Sequence, residues 1–180
     1  RYVVTNGVAT LIGRTWTRYT RLVRDGYAAI KRETWRAATQ DTAAAFQLFN
    51  FSTFQPAIAY SYAIAYADTG DGTPLLMRNA VAESLDEDGI LTVNAYSLSD
   101  GVLACETRRY GPSNLSQSSQ PSQFPTYETA ETDAAYGTLL RKTTRLTDGD
   151  AIIADEQSTY DDKNRLRSTT YLDGTSLTNA

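Results

Sequence analysis

The chain has 180 residues, 41% of them hydrophobic and 21% charged, enough for one ordinary domain or two small ones with a thin core. A net charge of −4 leaves no clustered Lys/Arg surplus, which argues against nucleic acid as the main partner. There is no histidine and only one cysteine, Cys105, which together exclude the commonest general base, the commonest zinc ligand and any intramolecular disulfide.

Asp-Gly dipeptides punctuate the chain at Asp25-Gly26, Asp71-Gly72, Asp88-Gly89, Asp100-Gly101, Asp148-Gly149 and Asp173-Gly174. A tight hairpin needs positive φ, which Asp tolerates and Gly adopts freely, so each dipeptide between strand-like runs predicts a turn. In chain order, Thr15–Val23 and Tyr27–Arg36 flank the first turn as strands rich in Thr, Tyr, Trp, Val and Ile. An Ala triplet with Phe46 and Phe49 at helical spacing predicts a short helix or a lid over 39–49. Tyr60, Tyr62 and Tyr66 fall on one face if their segment is extended. Leu75–Leu85, Ile90–Ser97 and Val102–Tyr110 read as a three-stranded meander. The Pro-, Ser- and Gln-rich stretch 111–126 reads as a loop or linker between an N-terminal β region, 1–110, and a C-terminal strand array, 127–180. In that array Gly137–Thr147, Ala151–Tyr160, Arg165–Leu172 and Thr175–Thr178 are strands.

The expected class is therefore all-β, an antiparallel meander of hairpins forming an extended or curled sheet. Strict alternation would put Leu140, Lys142, Thr144 and Leu146 on one face, with Leu139, Arg141, Thr143 and Arg145 on the other. It would likewise put Ile152, Ala154, Glu156, Ser158 and Tyr160 together. Both faces would be polar, which suits a broad sheet continued by neighbouring repeats better than a closed sandwich. Twelve tyrosines against five phenylalanines fit half-wet strands. No apolar run approaches the roughly 18 residues of a membrane-spanning helix. The chain opens on Arg1 and ends at Ala180 straight after a strand-like stretch, so a piece of something longer is expected.

Chemistry-bearing clusters are few. Asp68-Thr69-Gly70-Asp71-Gly72-Thr73 crowds oxygens into one loop but lacks the register of a calcium hand, with Asn79 where a bidentate Glu belongs. Asp86, Glu87 and Asp88, and again Glu128, Glu131 and Asp133, read as solvated acids rather than a carboxylate pair across a cleft. Serines lack an activating partner, and no phosphate loop or dinucleotide fingerprint is present, so no catalytic residue, metal or cofactor is expected. The best binding residues are Trp16, Tyr27 and Trp35, with Tyr19 a weaker fourth. A two-residue turn at Asp25-Gly26 sets Trp16 against Trp35 and Tyr19 against Arg32, leaving Tyr19 on the opposite face from the other three. Exposed aromatics on a sheet bind carbohydrate, whereas buried ones simply pack across the strands. Arg14, Arg18 and Arg24 share a face of the same strand and could hold an anion.

Tyr160-Asp161, then Asn164 at a turn position, Arg165-Leu166 and finally Asp173-Gly174 together resemble the YD repeat of the RHS family. A weaker echo runs from Asn94 to Leu103 around Tyr96 and Asp100-Gly101. The resemblance implies a structural, non-catalytic segment of a large bacterial secreted or surface protein, whose repeats wind a β-sheet strip into a shell. It implies an extracellular or cell-surface location, with neighbouring repeats of the same longer chain as partners. The alternative is a stand-alone β-sandwich module that binds carbohydrate or a cell-surface protein.

Overall fold

The computed structural model describes residues 2–5, 8–11, 14–37, 59–68, 72–112 and 122–179. Strands β1 (Tyr2–Thr5) and β2 (Val8–Leu11) pair as a small separate hairpin. The larger sheet begins with β3 (Arg14–Arg24), β4 (Tyr27–Ala37), β5 (Ala59–Tyr66) and β6 (Val81–Leu85). It continues through β7 (Leu91–Ser99), β8 (Val102–Tyr110) and β9 (Thr126–Asp133) to β10 (Leu139–Leu146), β11 (Ile152–Tyr160), β12 (Leu166–Tyr171) and β13 (Ser176–Thr178). These eleven strands form one antiparallel meander in strict chain order, open at β3 and at β13. The all-β expectation holds. The helix or lid expected over 39–49 lies outside the described residues, as do Thr69–Asp71 of the oxygen-rich loop and most of 111–126. The strands on either side of that stretch belong to one sheet, because β9 pairs directly with β8.

Turn chemistry sets the register. Asp25 and Gly26 both take positive φ, 52° and 83°, the left-handed pair that a two-residue turn requires. Arg24 consequently opposes Tyr27, Tyr19 opposes Arg32 and Trp16 opposes Trp35, as expected. Asp100-Gly101 makes the same turn, with Ser99 opposite Val102.

Three other turns share a different, three-residue geometry. The amide of Asp86, Asp161 or Tyr171 donates to the carbonyl four residues on, and a left-handed Gly89, Asn164 or Gly174 precedes the return strand. Only Gly, or an Asn able to bond its own backbone, occupies that place cheaply.

The structure departs from the expected strands in two places. Leu75–Leu85 is not one strand: Leu75–Met77 form a 3₁₀ turn after Pro74, Asn79 is left-handed, and the strand starts only at Val81. The apolar run is used as a plug instead. Tyr66 and Asn79 each donate a backbone hydrogen bond across the turn, to Ala80 and Tyr66 respectively, which folds Met77 into the core. Irregularities between Leu139 and Arg141, and between Thr144 and Arg145 opposite Ile152, also break the alternation expected for β10 and β11. Arg141 pairs with Glu131 while Leu139 pairs with Thr132, so those two side chains do not share a face. Ile152 is likewise shifted away from Ala154.

The core is small and lies in the N-terminal half. Tyr66, Met77, Ala82 and Leu103 form its buried cluster, with Tyr27, Leu76, Ala80 and Tyr96 packed around it. Among the described residues from β9 onward only Tyr127 and Thr143 are buried, while Ile153, Leu166, Leu172 and Leu177 stand exposed. The apolar drive for folding is thus shared between the place where the Leu75–Ala80 plug meets the sheet and the buried Trp16 and Trp35 of the first hairpin. Met77→Ala is expected to cost about 2–3 kcal/mol, the lower end for a buried methionine because a turn can relax into the space. Urea unfolding monitored by circular dichroism checks this. A cost under about 0.5 kcal/mol would mean the plug is not closed.

Candidate functional site

The β3–β4 hairpin places Trp16, Arg18 and Arg24 on one face beside Tyr27, Lys31, Glu33 and Trp35. The pairing of β4 with β5 adds Tyr60, Tyr62 and Tyr66 to that face, as their spacing predicts. Trp16 and Trp35 are 7% and 6% exposed, so the indoles pack across the strands and do not form an open strip. Tyr27 is half-buried and meets Tyr66 edge to face at 6.1 Å. Tyr19 is on the other face and 67% exposed. Of the four aromatic residues, then, two are core, one is at the core's margin and one stands in water.

Glu33 is the centre of this face and is 5% exposed. Arg18 Nε donates to Oε2 at 2.7 Å, Tyr60 Oη donates to Oε1 at 2.9 Å, and Lys31 Nζ lies 3.1 Å from Oε1. Burial alone would raise the Glu33 pKa, but these three donors overcome it and hold the carboxyl below its ordinary value. Burial, then the hydrogen bond to Glu33, pushes the Tyr60 phenol up, so it stays protonated. The arrangement repeats along β5. Tyr62 donates to Glu83 at 2.7 Å, and Glu83 also holds Arg24 at 3.1 Å. Tyr66 donates to Asp25 of the hairpin turn at 2.6 Å. Rings and cations alternate above this network: the Arg18 guanidinium sits 5.2 Å from the Trp35 ring centre and Lys31 Nζ 4.5 Å from that of Tyr62.

Each carboxylate here is already saturated by a phenol and a cation. A nucleophilic tyrosine needs a lowered pKa and a catalytic carboxylate needs a free lone pair facing a cleft. Glu33 and Tyr60 have neither, and their chemistry is that of a fixed, satisfied network. Arg18 and Arg24 are engaged here too, which removes them from the anion-binding reading; the Arg14 side chain lies outside the described residues.

At the other end, the repeat motif forms the β11–β12 turn. Asp161 Oδ1 accepts from the Lys163 and Arg165 amides, at 2.9 and 2.8 Å, while Oδ2 accepts from Arg165 Nε at 2.7 Å. The backbone bond from Arg165, followed by its side chain, holds the Asp161 carboxyl below its usual range. Asn164 supplies the left-handed residue and Leu166 starts the return strand. Tyr160 Oη donates to the Leu139 carbonyl at 2.7 Å, tying the motif back across β10. Asp173 accepts from the amide and hydroxyl of Thr175 beside left-handed Gly174. These residues make backbone geometry. An Asp161→Ala variant is expected to lose protection at the Lys163 and Arg165 amides in hydrogen exchange, while Arg165→Ala, in an exposed ion pair, changes little. Equal protection in both variants would contradict the assignment.

The structure also reveals an equivalent that the residue pattern alone had not brought out. Asp86 Oδ1 accepts from the amides of Asp88 and Ile90 in the same way, with Gly89 left-handed and Leu91 opening β7. The signal was an Asp, two spacers, Gly or Asn, any residue, then Leu, shared by Asp86–Leu91 and Asp161–Leu166. Asp100-Gly101, at the heart of the weaker echo, is instead a two-residue turn. Asp86, Glu87 and Asp88 thus belong to a turn, and Glu128, Glu131 and Asp133 are spread along β9. Among the described residues, no three His, Cys, Asp or Glu side chains group to hold a metal, and no helix is long and apolar enough to cross a membrane. Set beside known proteins, the chain matches no family model and no curated sequence.

Proposed function

We propose that this chain is a non-catalytic structural segment of a large bacterial surface or secreted YD-repeat protein, forming β-sheet wall. The observation that carries the reading is the open eleven-stranded meander, in which each strand pairs with its chain neighbour and the last five strands bury almost nothing. Such a strip has the properties of a repeat array, where stability sums over neighbouring units and each unit templates the next. The recurrence of one turn geometry at Asp86–Ile90 and Asp161–Arg165 adds support. The test is the coding sequence beyond Ala180. Further Tyr-Asp…Gly-Arg-Leu units at intervals of about 20 residues are expected, and a stop codon there would sink the reading. The alternative, a carbohydrate module working through Trp16, Tyr27 and Trp35, is disfavoured by the burial of both indoles. Glycan-array binding that disappears in Trp16→Ala would revive it.

A further inference from the structure

The face of the sheet opposite the Glu33 network carries a row of directly paired residues running across the strands. Tyr19 opposes Arg32, Arg32 opposes Ala63, Ala63 opposes Ser84, Ser84 opposes Thr92, and Thr92 opposes Arg109. Within the row, Arg32 and Arg109 bracket three small side chains, Ala63, Ser84 and Thr92. Arg32 and Arg109 are four strand intervals apart, roughly 19 Å at about 4.8 Å per interval. Both are exposed, and among the described residues neither has a carboxylate partner. This is unlike Arg18 and Arg24 on the other face, which are both ion-paired. Arg21, diagonal to Arg32, is exposed as well and has no carboxylate partner among the described residues. Beside the first arginine stand Tyr19 and Ile30, at 67% and 38% exposure, and Val23, 74% exposed, lies further along the hairpin, diagonal to Ile30. At the far end Arg109 lies 5.4 Å from the ring centre of Phe124.

We infer that this row is a docking trough for an extended acidic polypeptide segment whose carboxylates lie about six residues apart, with an apolar side chain next to the first. The occupant follows from charge and length. An unneutralised guanidinium at each end, with Arg21 adding to the charge beside Arg32, favours one carboxylate at each end, gripped bidentately. Six intervals of extended chain at about 3.3 Å each span the same roughly 20 Å. Val23 and Ile30 offer aliphatic surface that a leucine covers well and a sugar ring does not. The row also lacks the Asn, Asp and Gln side chains that read sugar hydroxyls. Nucleic acid is disfavoured by so few cations on a chain of net charge −4. All the strands beneath the trough except β3 are paired on both sides, so recognition is by side chains and not by strand addition.

The probe is a fluorescent peptide, Glu-Leu-Gly-Ser-Gly-Ser-Glu, titrated with the 180-residue chain by fluorescence anisotropy. Saturable binding is expected, weakened about tenfold or more by Arg32→Gln and by Arg109→Gln, since each removes a charged hydrogen bond. Arg167→Gln, an exposed arginine on β12, should leave binding unchanged, and circular dichroism should show all three variants folded. No saturable binding overturns the proposal. So does equal binding of a peptide with both glutamates adjacent, or stronger binding of a heparin fragment or a DNA oligonucleotide that Arg32→Gln also abolishes.

Discussion

Glu33→Ala is expected to destabilise the folded chain by about 2–4 kcal/mol, measured as a lowered urea midpoint at neutral pH. The magnitude follows from what is left behind. Removing the buried carboxylate leaves the part-exposed Arg18 and Lys31 close together on one face, and Tyr60 with a hydroxyl but no acceptor. Glu33→Gln keeps the shape and one acceptor, and should fall between the wild type and the alanine variant. The same carboxylate makes stability pH-dependent. In the folded chain Glu33 binds its proton at a lower pH than its ordinary value of 4.5. Its contribution is therefore fully present above that value and is lost as pH falls through the lower folded value. Asp155, held down by the two-point grip of Arg141, has the same sign. The melting temperature should thus be flat near neutrality and fall between about pH 5 and pH 3, less steeply in Glu33→Gln. A variant as acid-sensitive as the wild type would show that Glu33 is not the titrating group.

Tyr66→Ala should be comparably severe, about 3–5 kcal/mol, the range for deleting a buried aromatic ring. Tyr66 is 1% exposed and touches three parts of the fold: the Tyr27 ring, the Tyr96 ring at 5.8 Å, and the buried cluster around Met77. Tyr66→Phe separates the ring from the hydroxyl. It removes only the bond to Asp25, which keeps Arg24 at 3.5 Å, so about 1 kcal/mol is expected. Thermal unfolding of the pair reports both terms, and near-equal losses would place the energy in the hydroxyl and not in packing.

Much of the fold was legible because turn chemistry and strand pattern agreed. Once Asp25-Gly26 is a two-residue turn, pairing Trp16 with Trp35 is arithmetic, and the same arithmetic pairs Arg18 with Glu33. That second pair marks the ionic centre of the face, and reading only the aromatics passed over it. Burial was not legible in the same way. Whether Trp16 and Trp35 are surface or core depends on what lies over the hairpin, which strand periodicity does not encode. Leu75-Leu76-Met77 misled for a related reason: an apolar run bounded by Pro74 and Asn79 fits a buried strand and a buried turn equally well. The Arg32–Arg109 row was invisible because it joins residues from five strands, and its alignment depends on every intervening register.

The strict chain-order meander also has a mechanical consequence. Tension applied to the two ends of such a sheet loads the outermost hairpins by peeling, so inter-strand hydrogen bonds open one after another and never together in shear. A single-molecule pulling trace should therefore show a low, sawtooth-free ramp through the β9–β13 array. One distinct force peak should follow, when the plug around Tyr66 and Met77 gives way.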